Sequence, residues 1–222
     1  MKQILLLYLI IPIITFAQKE TSNNHLSAEF QFLHFNYKVK NLIGPEREIE
    51  GASWSYAFNV SYQKYIFKSL QLKGGIGYLN HHINIDRPFR YRTLRDLLFT
   101  TDYYNYKNIG LHIGTQYELR LSKTNSFVPA IVYHRYYTFR QVYKPQTSHK
   151  RQINTDIYYQ GYLVNPSVGM KKSLNRNLSL YVNAGMPILR WRKDEIFLEN
   201  ENEFENPTKS LGFSIGINYH LK

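Results

Sequence analysis

From Leu26 onward the chain changes chemical character at every second residue. Period two belongs to strands whose two faces meet different surroundings, and it restricts the fold more than any other feature here. At the carboxyl terminus Leu211, Phe213, Ile215, Ile217, Tyr219 and Leu221 share one face, and Ser210, Gly212, Ser214, Gly216, Asn218 and His220 the other. Ile109 to Leu121 repeats the pattern against Asn108, Gly110, His112, Gly114, Gln116, Glu118 and Arg120, and Trp54, Tyr56, Phe58, Val60 and Tyr62 repeat it against Ser55, Ala57, Asn59, Ser61 and Gln63. No comparably long helical period competes. Eight segments emerge, over 26–37, 53–67, 70–84, 104–121, 126–143, 155–172, 178–192 and 209–222. Each is longer than the roughly 9–11 residues that a tilted strand needs to cross a bilayer. Short polar connections at 68–69, 122–125 and 173–177 alternate with long ones at 38–52, 85–103, 144–154 and 193–208. That is a meander with one short-turn end and one long-loop end.

Alternation does not say which face is inside. A soluble lipocalin-like barrel would turn its apolar face inward and a charged face outward. Here the polar face carries Gly, Ser, Asn and Gln rather than the Lys and Glu of a water-facing surface, and small polar residues suit a crowded, narrow lumen. The apolar face, rich in the chain's 20 Tyr and 13 Phe, then faces lipid. The expected fold is all-β, an eight-stranded antiparallel up-and-down transmembrane β-barrel.

The amino terminus agrees. Met1-Lys2-Gln3 is positive, Ile4 to Ile14 is apolar, and Thr15-Phe16-Ala17 places small residues for cleavage after Ala17. The run is too short for a spanning helix, which needs about 20 residues, and reads as a secretory signal peptide. The expected organisation is a signal peptide over 1–17 and a single barrel domain over 18–222, located in the bacterial outer membrane. Zero cysteine excludes disulfides, thiolate metal sites, cysteine nucleophiles and a lipoprotein anchor.

Signal peptide, eight alternating segments, short turns opposite long loops, and the terminal strand from Gly212 to Lys222 together resemble the small eight-stranded outer-membrane β-barrels of the OmpX-like kind. More narrowly, the chain is similar to the Tyr-rich barrels of the Bacteroidetes, which include PorT-like proteins. The resemblance covers nearly the whole mature chain and is one of pattern. It departs from the family at the last residue, where Lys222 stands in place of the usual terminal aromatic.

Three places strain the pattern. In the first segment Leu26, Ala28, Phe30 and Phe32 give way to Leu33, Phe35 and Tyr37, so a β-bulge near Phe32 is expected. In the seventh, a bulge near Pro187 would return Trp191 to the lipid face. In the fifth, His134 and Arg135 are adjacent, so one must point outward, where an Arg reaches a headgroup along its stem. With both termini in the periplasm, Trp54, Tyr106, Tyr143 and Trp191 should form an outer aromatic belt, and Tyr65, Phe67, Phe127 and Tyr219 an inner one. The inward register gathers Glu29, Lys73, Glu118, Arg120, Lys171 and His220 near the short-turn end, where opposite charges should pair into an ionic plug, with Glu118 beside Lys73 or Arg120.

The net charge is +12. Arg87, Arg90, Arg92 and Arg95 fall in one long loop and Lys144, Lys150 and Arg151 in the next, a pattern suited to lipopolysaccharide phosphates as well as to plain solvation. A loop with Asp194, Glu195, Glu199, Glu201, Glu203 and Glu205 is acidic, but its spacing matches no calcium loop. Nucleic acid is not an expected partner, and neither a metal nor a cofactor is expected. Catalytic motifs are absent: there is no P-loop, no His-Glu-x-x-His and no Gly-x-Ser-x-Gly. His81, His82, Asp86 and Ser53 would lie near the outer rim without the His-x-Ser-Asn motif of lipid A-modifying barrels. The expectation is a monomeric outer-membrane barrel without enzymatic activity, an envelope structural or interaction protein whose loops contact lipopolysaccharide or an envelope protein. An accessory barrel of a secretion or assembly system, as the PorT-like resemblance implies, is the first alternative. A lipid A acyltransferase or deacylase is the second.

Overall fold

The computed structural model describes residues 24–41, 48–67, 69–89, 98–144, 152–191, 202–204, 207 and 209–221. The expected signal peptide lies outside them. The strands are β1 (Asn24–Asn41), β2 (Glu48–Tyr65), β3 (Leu70–Phe89), β4 (Leu98–Tyr117), β5 (Leu119–Arg120), β6 (Asn125–Lys144), β7 (Gln152–Asn154), β8 (Tyr158–Ser173), β9 (Leu178–Gly185), β10 (Ile188–Trp191), β11 (Asn202–Phe204) and β12 (Lys209–Leu221). β5 continues β4, and β10 continues β9. Every pairing is antiparallel, and the ring runs β12, β1, β2, β3, β4, β6, β8, β9 and back to β12, where Ile215 lies opposite Val182. Eight walls therefore close with no free edge, which removes the unpaired backbone groups that hydrocarbon does not tolerate.

Turn chemistry fixes the short end. Ile66, Leu121 and Leu174 each donate a backbone hydrogen bond across the turn, to the carbonyls of Leu70, Asn125 and Leu178, at 2.8, 2.9 and 2.9 Å. The Asn175 side chain accepts from the amides of Asn177 and Leu178 at 2.9 Å, and Ser122 Oγ from those of Thr124 and Asn125. Short polar side chains stabilise tight turns in this way.

The two faces separate as the alternation requires. Along β1 the side chains of His25, Ser27, Glu29 and Gln31 are buried in the lumen, while Leu26, Phe30 and Phe32 are exposed. Ile76, Leu111, Ile113, Ile131, Val168, Val182 and Ile215 are all about half exposed or more on the outside, with Leu111 at 63%. A continuous apolar band of that kind is unstable in water and is what a bilayer covers. Gly216 shows how tightly the interior is filled: a Cβ there would stand 2.2 Å from the Tyr181 ring, which packs across the lumen.

The expected bulge near Phe32 is not there. β1 keeps one register against β2 and against β12 throughout, so Leu33 and Phe35 stay on the lumen side and are fully buried. The apolar residues that looked like a change of face are instead an apolar interior. Nor is there a bulge at Pro187: Gly185 lies opposite Ser167 and Ile188 opposite Val164, the same register on both sides. Pro187 interrupts the ladder only by lacking an amide proton. The Trp191 side chain lies outside the described residues. Bulges occur elsewhere, in β6 between Tyr137 and Arg140 and in β8 at Gln160, where the registers β4 to β6 and β6 to β8 each slip by one residue.

Candidate functional site

The lumen has two unlike halves. Towards the short turns it is ionic. Lys73 Nζ donates to Glu29 Oε2 at 2.5 Å, and Gln31 donates to the other Glu29 oxygen at 3.1 Å. Lys73 also lies 5.9 Å from the Tyr181 ring centre, and Tyr181 shares a hydrogen bond with Ser27. A second pair joins Lys171 to Glu118 at 2.8 Å, and Glu118 further accepts from Tyr65, Gln71 and Ser126. A buried carboxylate supplied with an ammonium and several donors is compensated, which is the condition for keeping it charged away from water. His25 and His220 face each other across β1 and β12, ring centres 3.8 Å apart.

Above this, His112 shares a hydrogen bond with Ser61 at 2.8 Å and His134 one with Tyr136 at 3.2 Å, and the two imidazoles lie 5.1 Å apart. Towards the long loops the lumen turns apolar. Leu33, Phe35, Leu79, Tyr104, Leu163 and Leu189 are buried in one cluster. Within it Ser55 Oγ meets His81 Nδ1 at 2.6 Å, with Ser53 3.0 Å from Ser55.

The expected site residues divide accordingly. Glu29, Lys73, Glu118 and Lys171 face the lumen, but Glu118 pairs with Lys171 rather than with Lys73 or Arg120. Arg120 is exposed at the turn and stands outside the cluster. Three of the eight belt aromatics are also reassigned. Tyr106 is buried in the apolar cluster, Tyr143 packs against it by stacking on Tyr104 at 4.7 Å, and Tyr65 donates to Glu118 inside the barrel. All three fall on lumen-facing positions of their strands, Tyr143 because the β6 bulge resets the alternation beyond Phe139. Trp54 and Tyr219 are exposed on the outer wall, Phe127 is half-buried on that wall, and Phe67 is exposed at the turn. Of the adjacent pair in β6, His134 is buried in the lumen and Arg135 is exposed outside. Among the candidate outer-rim groups, His81 faces in, while His82 shares a hydrogen bond with Tyr103 at 2.7 Å. Ser55 rather than Ser53 is the closer serine to His81, at 2.6 against 3.5 Å, and the two-residue period that puts both serines on one face was the signal for it. Lys144 is exposed at the end of β6. The side chains of Arg87, Arg90, Arg92, Arg95, Lys150, Arg151 and Asp86, and those of the acidic loop, lie outside the described residues.

A closed antiparallel ring with an apolar exterior and a filled interior defines an integral outer-membrane β-barrel. No protein-family model and no curated protein matches the chain. Among solved structures it is similar to the outer membrane protease OmpT from Escherichia coli, with a TM-score of 0.52 at 9% identity over 92% of this chain and 100% of that one. It also aligns with Neisserial surface protein A, at a TM-score of 0.48 and 10% identity over 91% and 100% of the two chains. The attachment invasion locus protein Ail of Yersinia pestis aligns at 0.36 and 10% over 90% and 99%. The first of these corrects one expectation. A protease is built on this fold, so the fold gives no ground for setting catalysis aside.

Proposed function

We propose that this outer-membrane barrel works at its long-loop end, as an envelope interaction protein that contacts the phosphorylated glycolipid of the outer leaflet, lipopolysaccharide. The filled lumen carries the reading: an apolar layer and two buried ion pairs occupy the interior, which directs attention to the rim and the outer wall. Charge supplies the chemistry. The chain is net basic, with Arg87, Arg90, Arg92 and Arg95 in one loop and Lys144, Lys150 and Arg151 in the next, which complements lipid-borne phosphate. Replacing all seven by Gln and measuring lipid A retained by the barrel in phosphatidylcholine nanodiscs tests it. Weakened retention is expected, and retention equal to that of the native chain overturns the loop contact. Delivery by cleavage after Ala17 belongs to the same proposal, and amino-terminal sequencing of the mature chain checks it.

A second reading, an accessory barrel for protein secretion or assembly, is favoured by the height of the rim. A 20-residue strand such as β3 or β4 is about 65 Å long, well beyond an apolar band of about 25 Å even when tilted. β7 on β6 and β11 on β1 add further strands at that end. Such a collar offers a protein partner a structured surface, and crosslinking from rim positions in intact cells would recover that partner.

A further inference from the structure

The bulge in β6 re-aims a charge. Asn108 lies opposite Thr138, but Lys107 lies opposite Arg140, and the extra residue is Phe139. Up to Thr138 the even-numbered side chains of β6 face the lumen, and Thr138 itself is buried, its hydroxyl 2.6 Å from the Asn108 side-chain amide and 2.8 Å from that of Gln160. Beyond the bulge Gln141 is buried and Arg140 is exposed. Had the same residues run on as a regular strand, Arg140 would point into the lumen. Bulges redirect side chains in this manner.

The outcome is two cations directly opposed on neighbouring strands of the outer wall. Cβ atoms of such pairs lie about 4.5–5.5 Å apart, and like charges there destabilise a sheet. Neither Lys107 nor Arg140 forms an ion pair among the described residues. Arg135, on the same face, holds its guanidinium 5.7 Å from the Tyr137 ring. Directly towards the short turns the β4 side of the wall is apolar, with Ile109, Leu111 and Ile113 exposed, and Arg135, opposite Leu111 on β6, is placed to reach back to the headgroups along its stem. The pair thus stands at the edge of the hydrocarbon band, at headgroup depth.

We propose that Lys107 and Arg140 clamp a phosphate of lipopolysaccharide lying against the β4–β6 wall, with its acyl chains over Ile109 and Leu111. An anion between the two cations would turn their repulsion into two charge-assisted contacts. The inference rests on the glycolipid reading above and moves the principal contact from the loops to the wall.

The test uses the full chain folded in phosphatidylcholine nanodiscs, titrated with bisphosphorylated lipid A and with dephosphorylated lipid A, folding being checked by gel mobility before and after boiling. Lys107→Gln with Arg140→Gln should bind the phosphorylated lipid about a hundredfold more weakly, the loss of two charged contacts, and the dephosphorylated lipid unchanged. Lys107→Glu creates a cross-strand pair with Arg140, so it should raise the unfolding temperature in lipid A-free discs while abolishing phosphate discrimination. The wall site is overturned if the double variant discriminates as the native chain does, or if inorganic phosphate displaces the lipid at equal concentration. If the wall variant discriminates and the loop variant does not, the glycolipid reading survives and the wall site falls. If the native chain shows no discrimination, both fall.

Discussion

At the scale of single residues, the buried ions separate two effects that a contact map merges. Glu29 and Lys73 hold each other inside the lumen, where removing one partner leaves the other uncompensated. Lys73→Met should cost about 3–5 kcal/mol, whereas Glu29→Leu with Lys73→Met, which removes both charges, should lie close to the native chain. Denaturant midpoints in lipid vesicles measure both, and equal losses in the two variants would mean the pair is not what sets the cost. The outer wall gives the opposite test. Ile215 is half exposed at the middle of β12, so Ile215→Arg should destabilise by about 2–4 kcal/mol if it meets the bilayer midplane. Alternation alone made Glu29, Lys73, Glu118 and Lys171 legible as lumen charges, but it also placed Arg120 among them, which is exposed because its strand ends at the turn. Which partner each one takes was not legible, because pairing across the lumen depends on the stagger between strands, which no single strand encodes. That is why Glu118 was expected beside Lys73 or Arg120 and instead meets Lys171.

At the scale of elements, strand positions were legible because turn residues and face alternation agree at each short connection. Irregularities were harder to place, since an apolar residue on the wrong face has two explanations, a bulge or an apolar interior. Leu33 and Phe35 in β1 took the second, while β6 hid a true bulge at Phe139 among consecutive aromatics and an Arg. The distinction has a measurable consequence. In the bulge Phe139 and Arg140 both lie outward against Lys107, so deleting Phe139 leaves Thr138 inward, Arg140 outward and Gln141 inward. The deletion should therefore still give a barrel whose gel mobility shifts on boiling, losing mainly the Phe139 contact with Tyr78. An alanine inserted between Ile215 and Gly216 in β12 has no such outlet. It turns Ile217 and Tyr219 inward and Asn218 outward, and should abolish the heat-modifiable band.

At the scale of the whole molecule, ring closure and the eight-fold count were written in the order of short and long connections, but the division of the lumen was not. An apolar side chain in a barrel strand reads as lipid-facing until its neighbours are placed, and Leu79, Tyr104 and Leu163 come from three walls whose convergence only the closed ring creates. Two barriers of different chemistry therefore stand in series, ionic towards the short turns and apolar towards the long loops. Either should block ions unaided. Removing both ion pairs by truncation, with Glu29→Ala, Lys73→Ala, Glu118→Ala and Lys171→Ala, leaves the apolar layer intact, so planar bilayers holding that barrel should carry no more current than with the native chain. Truncating the layer alone, by Phe35→Ala and Leu163→Ala, leaves the ionic half filled and should also leave the bilayer silent. Only the combined variant should conduct, since it alone removes a barrier from each half. Current from the ion-pair variant by itself would mean that the apolar side chains do not meet across the axis, and the filled lumen on which the proposed function rests would have to be given up.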